Sequence, residues 1–146
     1  MDCKFLFLDY DGVLHPGLAG TMVYLPRLQA FLKEHPSVQV VLSTSWRLTH
    51  SFESLRFAFE PALRNRVVGT TPALPEGTRA QRFAEIGVWL ARYAPVDAKW
   101  VALDDDATLF PPWCEELVLC ESVRGLRPAQ LQEVTRKLDL PQARGQ

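Results

Sequence analysis

Phe5-Leu6-Phe7-Leu8-Asp9-Tyr10-Asp11-Gly12-Val13-Leu14 is the stretch whose reading decides the fold. Four bulky apolar residues in a row, without polar alternation, spell a short strand buried on both faces, as inside a parallel sheet. The run stops at Asp9, and a second carboxylate, Asp11, precedes Gly12. Acids two positions apart at the end of a buried strand are expensive to desolvate unless a cation sits between them. A hard divalent ion, bound through carboxylate and carbonyl oxygens, meets that need. In open α/β sheets ligands bind in the crevice beyond the carboxyl ends of the strands, where both acids would fall. The competing reading is a strand closed by an Asp-Gly turn, with Asp9 merely capping it; the rest of the chain separates the two.

Working outward, Gly12 to Gly20 is dense in Gly and Pro and predicts a loop. Leu25, Leu28, Phe31 and Leu32 share one face of a helix with Pro26 in its first turn. Val38-Gln39-Val40-Val41-Leu42 is the second strand, and it ends in Ser43-Thr44-Ser45-Trp46-Arg47. Residues 49 to 63 read as an irregular helix, and 66 to 69 as a short strand. The loop from Thr70 to Gly77 leads to Thr78, the expected cap of a helix through Tyr93 whose buried stripe is Phe83, Ile86, Trp89 and Leu90. Lys99-Trp100-Val101-Ala102-Leu103 is a further strand, ending in Asp104-Asp105-Asp106, and residues 117 to 120 form the last. A closing helix runs from Pro128 to Leu138, and residues 142 to 146 are expected to fray. Strands alternating with helices predict α/β architecture: one Rossmann-like, doubly wound parallel sheet flanked by helices, in a single domain spanning 1–146.

Composition narrows the function classes. The 146 residues suit one domain with a real core, and 47% hydrophobic with 23% charged residues is an ordinary globular mix. A net charge of −1 argues against a general nucleic-acid binder held by a strong basic field, though not against a nucleic acid end as substrate. Cys3, Cys114 and Cys120 match neither a disulfide framework nor a zinc site. They are expected to be reduced thiols of a cytoplasmic protein. No apolar run is long enough to span a membrane, and no signal peptide is expected before the first strand.

If the sheet is parallel, three strand ends line one edge: Asp9 with Asp11, Ser43 with Thr44, and Asp104 with Asp105. Carboxylates from two strands can hold one Mg²⁺, which keeps several waters and takes few protein ligands plus phosphate. A carboxylate beside that ion can attack phosphorus, and a second can protonate the leaving group and later activate water. A serine hydroxyl and backbone N–H groups can bind the phosphoryl oxygens as charge builds on them. The positive side chain comes from Arg79 or Arg82.

In order, Phe-Leu-Asp-Tyr-Asp-Gly-Val, then Val-Leu-Ser-Thr, then a basic helix residue, then Ala-Leu-Asp-Asp-Asp resembles the haloacid dehalogenase (HAD) phosphohydrolase superfamily. The chain is similar in particular to small capless HAD domains, some of which occur in bacterial RNA-repair proteins. Ser43-Thr44-Ser45-Trp46-Arg47, Gly69-Thr70-Thr71-Pro72 and Arg82-Phe83-Ala84-Glu85-Ile86 carry that closer likeness. The resemblance implies Asp9 as nucleophile and Asp11 as general acid/base, with the Asp11 main-chain carbonyl on Mg²⁺. It implies Ser43, or Thr44 one residue on, as the phosphate-binding hydroxyl. Asp105 becomes the principal metal carboxylate with Asp104 beside it, while Asp106 caps the next turn. The superfamily most often has lysine at the basic position. This chain offers arginine, Arg82 ahead of Arg79, since Lys99 starts its strand at the far edge. The implied activity is Mg²⁺-dependent phosphatase chemistry through an aspartyl-phosphate. The alternatives are a HAD-like interaction domain with vestigial activity, or transfer to an acceptor other than water. Too little chain separates the motifs for a cap. The expected substrate is therefore bulky, a nucleic acid end or a phosphoprotein lying across a mouth bordered by Trp46 and Arg47. His15 reads as a lone loop histidine, and Trp100 and Trp113 as packing residues.

Overall fold

The computed structural model describes residues 3–142; the expected fraying from 142 onward falls, beyond Gln142 itself, outside the described residues. Five strands form one all-parallel sheet in the order β3-β2-β1-β4-β5: β1 (Lys4–Leu8), β2 (Val38–Leu42), β3 (Val67–Thr70), β4 (Lys99–Asp104) and β5 (Leu117–Leu119). The helices are α1 (Leu25–Glu34), α2 (Phe52–Phe57), α3 (Gln81–Tyr93) and α4 (Pro128–Lys137). The first strand lies at the centre of the sheet. That is why it carries no polar alternation: both of its faces are covered.

Side chains alternate across a strand, and here the two sets enter separate cores. Leu6, Leu8, Val40, Leu42, Val101 and Leu103 pack with Leu28 and Leu32 of α1 and Val134 of α4. Phe5, Phe7, Val41 and Ala102 pack with Ile86 and Trp89 of α3. Trp89 meets Phe5 and Phe7 edge-on, with ring centroids 5.1 and 5.6 Å apart. Continuing the alternation beyond the strand ends, Asp9, Ser43 and Asp104 share the parity of the α3-facing set.

Three local expectations need correction. The helix anticipated over 49–63 is instead α2 and a 3₁₀ turn, Pro61–Arg66, because Pro61 cannot continue the first helix. Thr78 does not cap α3. Its hydroxyl donates to the Pro75 carbonyl at 2.5 Å, and the helix starts at Gln81 after Ala80 in the left-handed region (φ 45°). Trp113 is 95% exposed with φ 58° and so lies outside the core, whereas Trp100 does pack edge-on against Phe7 at 5.6 Å. The three cysteines are free, and among the described residues no helix is long and apolar enough to cross a membrane.

Leu6 is fully buried at the middle of the central strand. Leu6→Ala is expected to cost about 2–5 kcal/mol through lost burial and a residual cavity. Urea unfolding followed by circular dichroism reads that loss as a lower midpoint at unchanged slope.

Candidate active site

Register builds the site. Leu8 pairs with Leu42 on one side and with Leu103 on the other. The ladder then runs one step further: the Asp9 N–H donates to the Leu103 carbonyl, and the Ser43 N–H to the Leu8 carbonyl, each at 3.0 Å. Asp9 is thereby fixed between the Ser43 and Asp104 strand ends. After Asp9 the chain turns helically, with the Val13 and Leu14 N–H groups both donating to the Tyr10 carbonyl.

Asp9, Asp104 and Asp105 each offer a carboxylate oxygen, and these lie within 4.8 Å of one another. Asp9 is 4% exposed and Asp104 fully buried. Arg82, near the start of α3, reaches over them: Nη1 is 2.8 Å from Asp104 Oδ2 and 3.5 Å from Asp9 Oδ2. Arg79 is exposed. Of the two arginines, then, Arg82 supplies the charge at the acids. The Tyr10 N–H donates to Asp9 Oδ1 at 2.8 Å, and the Asp106 N–H to Asp104 Oδ1 at 3.0 Å. Even so, burial foremost and the Asp104 charge next push the Asp9 carboxyl up to about 9, against the relief from Arg82. Burial also raises Asp104, opposed by Arg82.

One guanidinium cannot neutralise three carboxylates, and the donors are all hard oxygens, so the cluster fits a divalent cation such as Mg²⁺. The backbone makes room for the Asp105 side chain of this cluster. At Gly12, φ is +74° and a Cβ would fall 2.1 Å from Asp105 Oδ2, so no side chain is tolerated there.

The Asp11 carboxylate lies outside that cluster. Its Oδ1 meets His15 Nε2 at 2.8 Å and accepts from the Trp46 indole N–H at 3.1 Å. Ser43 and Thr44 are now distinguishable. The Thr44 hydroxyl accepts from the Trp46 N–H at 3.2 Å, capping the 3₁₀ turn Ser45–Leu48, whereas the buried Ser43 hydroxyl has no partner. Asp106 accepts from the Thr108 N–H and caps its turn.

Arg47 is not at the mouth. Its Nε donates to the Thr71 carbonyl at 2.9 Å, and Nη1 to the Ser43 and Thr44 carbonyls at 3.2 and 3.0 Å. Nη2 donates to Glu85 at 2.8 Å and to the Pro72 carbonyl at 3.4 Å. A guanidinium with all its nitrogens turned inward cannot greet a substrate, so Arg47 ties the Ser43 loop to α3 instead. Trp46 likewise faces inward through its N–H, with its ring stacked on His50 at 5.3 Å.

Sequence reading gave no role to Glu85, Thr71 or His15. Thr71 lies level with Ser43, since its N–H extends the ladder to the Leu42 carbonyl, and its buried hydroxyl is also unpartnered. A hydroxyl just past a strand end was the available signal.

The family model for the HAD domain in Swiss Army Knife RNA repair proteins matches residues 5–131. The chain belongs to this family. No curated protein and no solved structure matches it. The match of this HAD domain covers all five strands but for Lys4 at the start of β1, together with the cluster of acids, and the sheet has the Rossmann-like α/β form with no cap inserted among the described residues. Membership points to phosphatase-type hydrolase chemistry, in a family type that generally uses Mg²⁺.

Because the folded-state pKa of Asp9 is raised, its stabilising contribution is complete below 3.8 and is lost as pH rises toward about 9. The metal-free HAD domain should therefore melt at progressively lower temperature across that interval, and Mg²⁺ should restore most of the loss at the alkaline end. Calorimetric scans with and without EDTA check this, and Asp9→Asn should flatten the slope. Gly12→Ala should raise the Mg²⁺ concentration needed for that restoration by displacing Asp105.

Proposed function

We propose that this HAD domain is a Mg²⁺-dependent phosphomonoester hydrolase working through an aspartyl-phosphate on Asp9. The observation that carries the reading is the grouping at one sheet edge of three carboxylates, a capping arginine and unpartnered donors. Ser43 Oγ, Thr71 Oγ1 and Arg82 Nε are all buried without hydrogen-bond partners. Buried polar groups left unpaired are costly, and phosphoryl oxygens are acceptors that such donors would satisfy. Mg²⁺ held by Asp9, Asp104, Asp105 and the Asp11 carbonyl would supply the positive charge that lets an anionic carboxylate approach an anionic phosphate.

The chain's own groups divide the work as follows. A carboxylate oxygen of Asp9 attacks phosphorus as the bond to the leaving oxygen breaks, and Asp11 gives that oxygen its proton. Asp11 then takes a proton from water, whose oxygen attacks phosphorus and frees Asp9. Ser43 and Arg82 hold the phosphoryl oxygens as charge redistributes. The vestigial reading drew on arginine standing where lysine is usual. Arg82 at 2.8 Å from Asp104 and 3.5 Å from Asp9 brings the charge regardless, which favours activity.

We further propose a bulky substrate, a phosphorylated nucleic acid end. The family description speaks of RNA repair proteins. The loops after β1 and β2, residues 12–24 and 43–51, border the strand-end edge, and neither carries an inserted lid that could enclose a small metabolite.

Activity on p-nitrophenyl phosphate should need Mg²⁺ and vanish reversibly with EDTA. Asp9→Asn should abolish turnover while keeping the parent's circular dichroism spectrum; a loss of less than about tenfold, ~1.4 kcal/mol of barrier, overturns the nucleophile assignment. Across phosphosugars, mononucleotides, phosphopeptides and 5′- and 3′-phosphorylated oligonucleotides, kcat/KM should be highest on an oligonucleotide. A phosphosugar or phosphopeptide ahead of every oligonucleotide overturns the substrate assignment.

A further inference from the structure

Asp11, the proposed acid/base, is the least buried of the site aspartates by side chain among those in ion pairs, at 23%, yet one of its two oxygens is held by two rings. The helical turn after Asp9 places His15 beside Asp11, and Gly12 closes the loop through its N–H to the Gly17 carbonyl at 3.0 Å. His15 is fully buried. Trp46 arrives from the other side on the 3₁₀ turn, with its ring 5.8 Å from that of His15 and 5.4 Å from Tyr10.

The protons on these rings follow from the hydrogen bonds available. Indole N–H is a donor only, so Asp11 Oδ1 accepts from Trp46. His15 Nδ1 is buried without a partner. A proton there would leave an N–H unpaired in the interior, whereas on Nε2 it meets a carboxylate oxygen 2.8 Å away. The network therefore assigns the neutral ring its proton on Nε2, and Oδ1 accepts from both rings. With both lone-pair directions of Oδ1 taken, a proton arriving on Asp11 has one oxygen left to occupy.

We infer that His15 and Trp46 are positioning residues that confine the transferable proton of Asp11 to Oδ2 and aim that oxygen at the leaving group. Neither ring touches substrate or joins the chemistry. Their effect is geometric: a carboxyl free to rotate presents its proton in several directions, whereas one clamped at Oδ1 presents it in one. General acid catalysis is worth about 10²–10⁴-fold when the acid is placed correctly, and part of that factor belongs to the clamp. The inference rests on the proposed role of Asp11.

Two substrates of similar size separate this role from a structural one. Nitrophenolate departs without a proton, whereas the alkoxide of benzyl alcohol needs one. The measured quantity is kcat/KM, which reports the first phosphoryl transfer, for p-nitrophenyl phosphate and benzyl phosphate with Mg²⁺ saturating. Trp46→Phe, which keeps the ring and removes the donor, and His15→Ala should each lower benzyl phosphate turnover by about tenfold or more. On p-nitrophenyl phosphate each should cost less than about threefold. His15→Gln, whose amide N–H can reach the position of Nε2, should recover much of the benzyl phosphate rate. Equal losses on the two substrates, or none, overturn the inference. Asp11→Asn serves as the reference: if it too falls equally on both substrates, the acid role of Asp11 fails and the inference with it. If Asp11→Asn discriminates and the ring variants do not, only the clamp is refuted. Should His15→Ala not fold, Trp46→Phe and His15→Gln decide the matter alone.

Discussion

Two carboxylates, Asp9 and Asp104, end neighbouring strands on the same face of the sheet, and the cost of burying both in one crevice, desolvation first and mutual repulsion next, governs what surrounds them. Like charges about 4 Å apart repel by roughly 4 kcal/mol at the effective dielectric of a protein site. That is a large share of a net folding stability of about 5–15 kcal/mol. Neither acid can be moved, because each is the continuation of a strand whose register is set by buried leucines. The compensation therefore comes from outside the sheet. Arg82 lies within 2.8 Å of Asp104, the Tyr10 and Asp106 N–H groups each donate to one acid, and Asp105 adds an oxygen that makes the remaining charge worth a divalent ion.

Arg82 has to be delivered to that spot, which is the task of a second buried pair. Glu85 lies three residues on, on the same side of α3, and binds Arg47 with both partners almost wholly buried, at 3% and 7% exposure of their side chains. Breaking such a pair costs about 3–5 kcal/mol because the survivor is left charged and dry. Here the desolvation is offset further by four carbonyl acceptors, of Ser43, Thr44, Thr71 and Pro72. Glu85 also accepts from the Leu74 N–H at 3.0 Å. The loops after β2 and β3 and the start of α3 are thus one unit, so the hydroxyl of Ser43 and the charge of Arg82 keep a common frame.

Much of this was legible in the chain. The β2 bounds were read as they stand, and β1 gains only Lys4. Unbroken apolar runs ending in acids or hydroxyls name the strands and the edge at once, because strand ends in a parallel sheet share one side. What stayed hidden was the direction in which a side chain points. Arg47 and Arg82 look alike as residue types, and each could serve a substrate or a carboxylate; carbonyl geometry two loops away decides between them. His15 was passed over because an isolated histidine carries no spacing signal, although its distance of four residues from Asp11 becomes a contact once the intervening residues turn helically. Trp113 shows the converse limit. Hydrophobicity argues for burial, but a residue between Pro111-Pro112 and the last strand is placed by its backbone.

Exposure is graded across the three kinds of group at the sheet edge, and the grading matches their chemistry. Asp9, the proposed nucleophile, is nearly dry at 6% exposure of its side chain, which keeps water from solvating the carboxylate and competing for its charge partners. Asp11, the proposed acid/base, is open at 23% by side chain, as suits a group that would meet first a departing oxygen and then a water molecule. His15, which holds it, is fully enclosed. In an enzyme with a cap, closure supplies this contrast between dry and wet groups. In this HAD domain the contrast is static: the Tyr10 N–H and Arg82 both reach the buried Asp9, while Asp11 stays partly open.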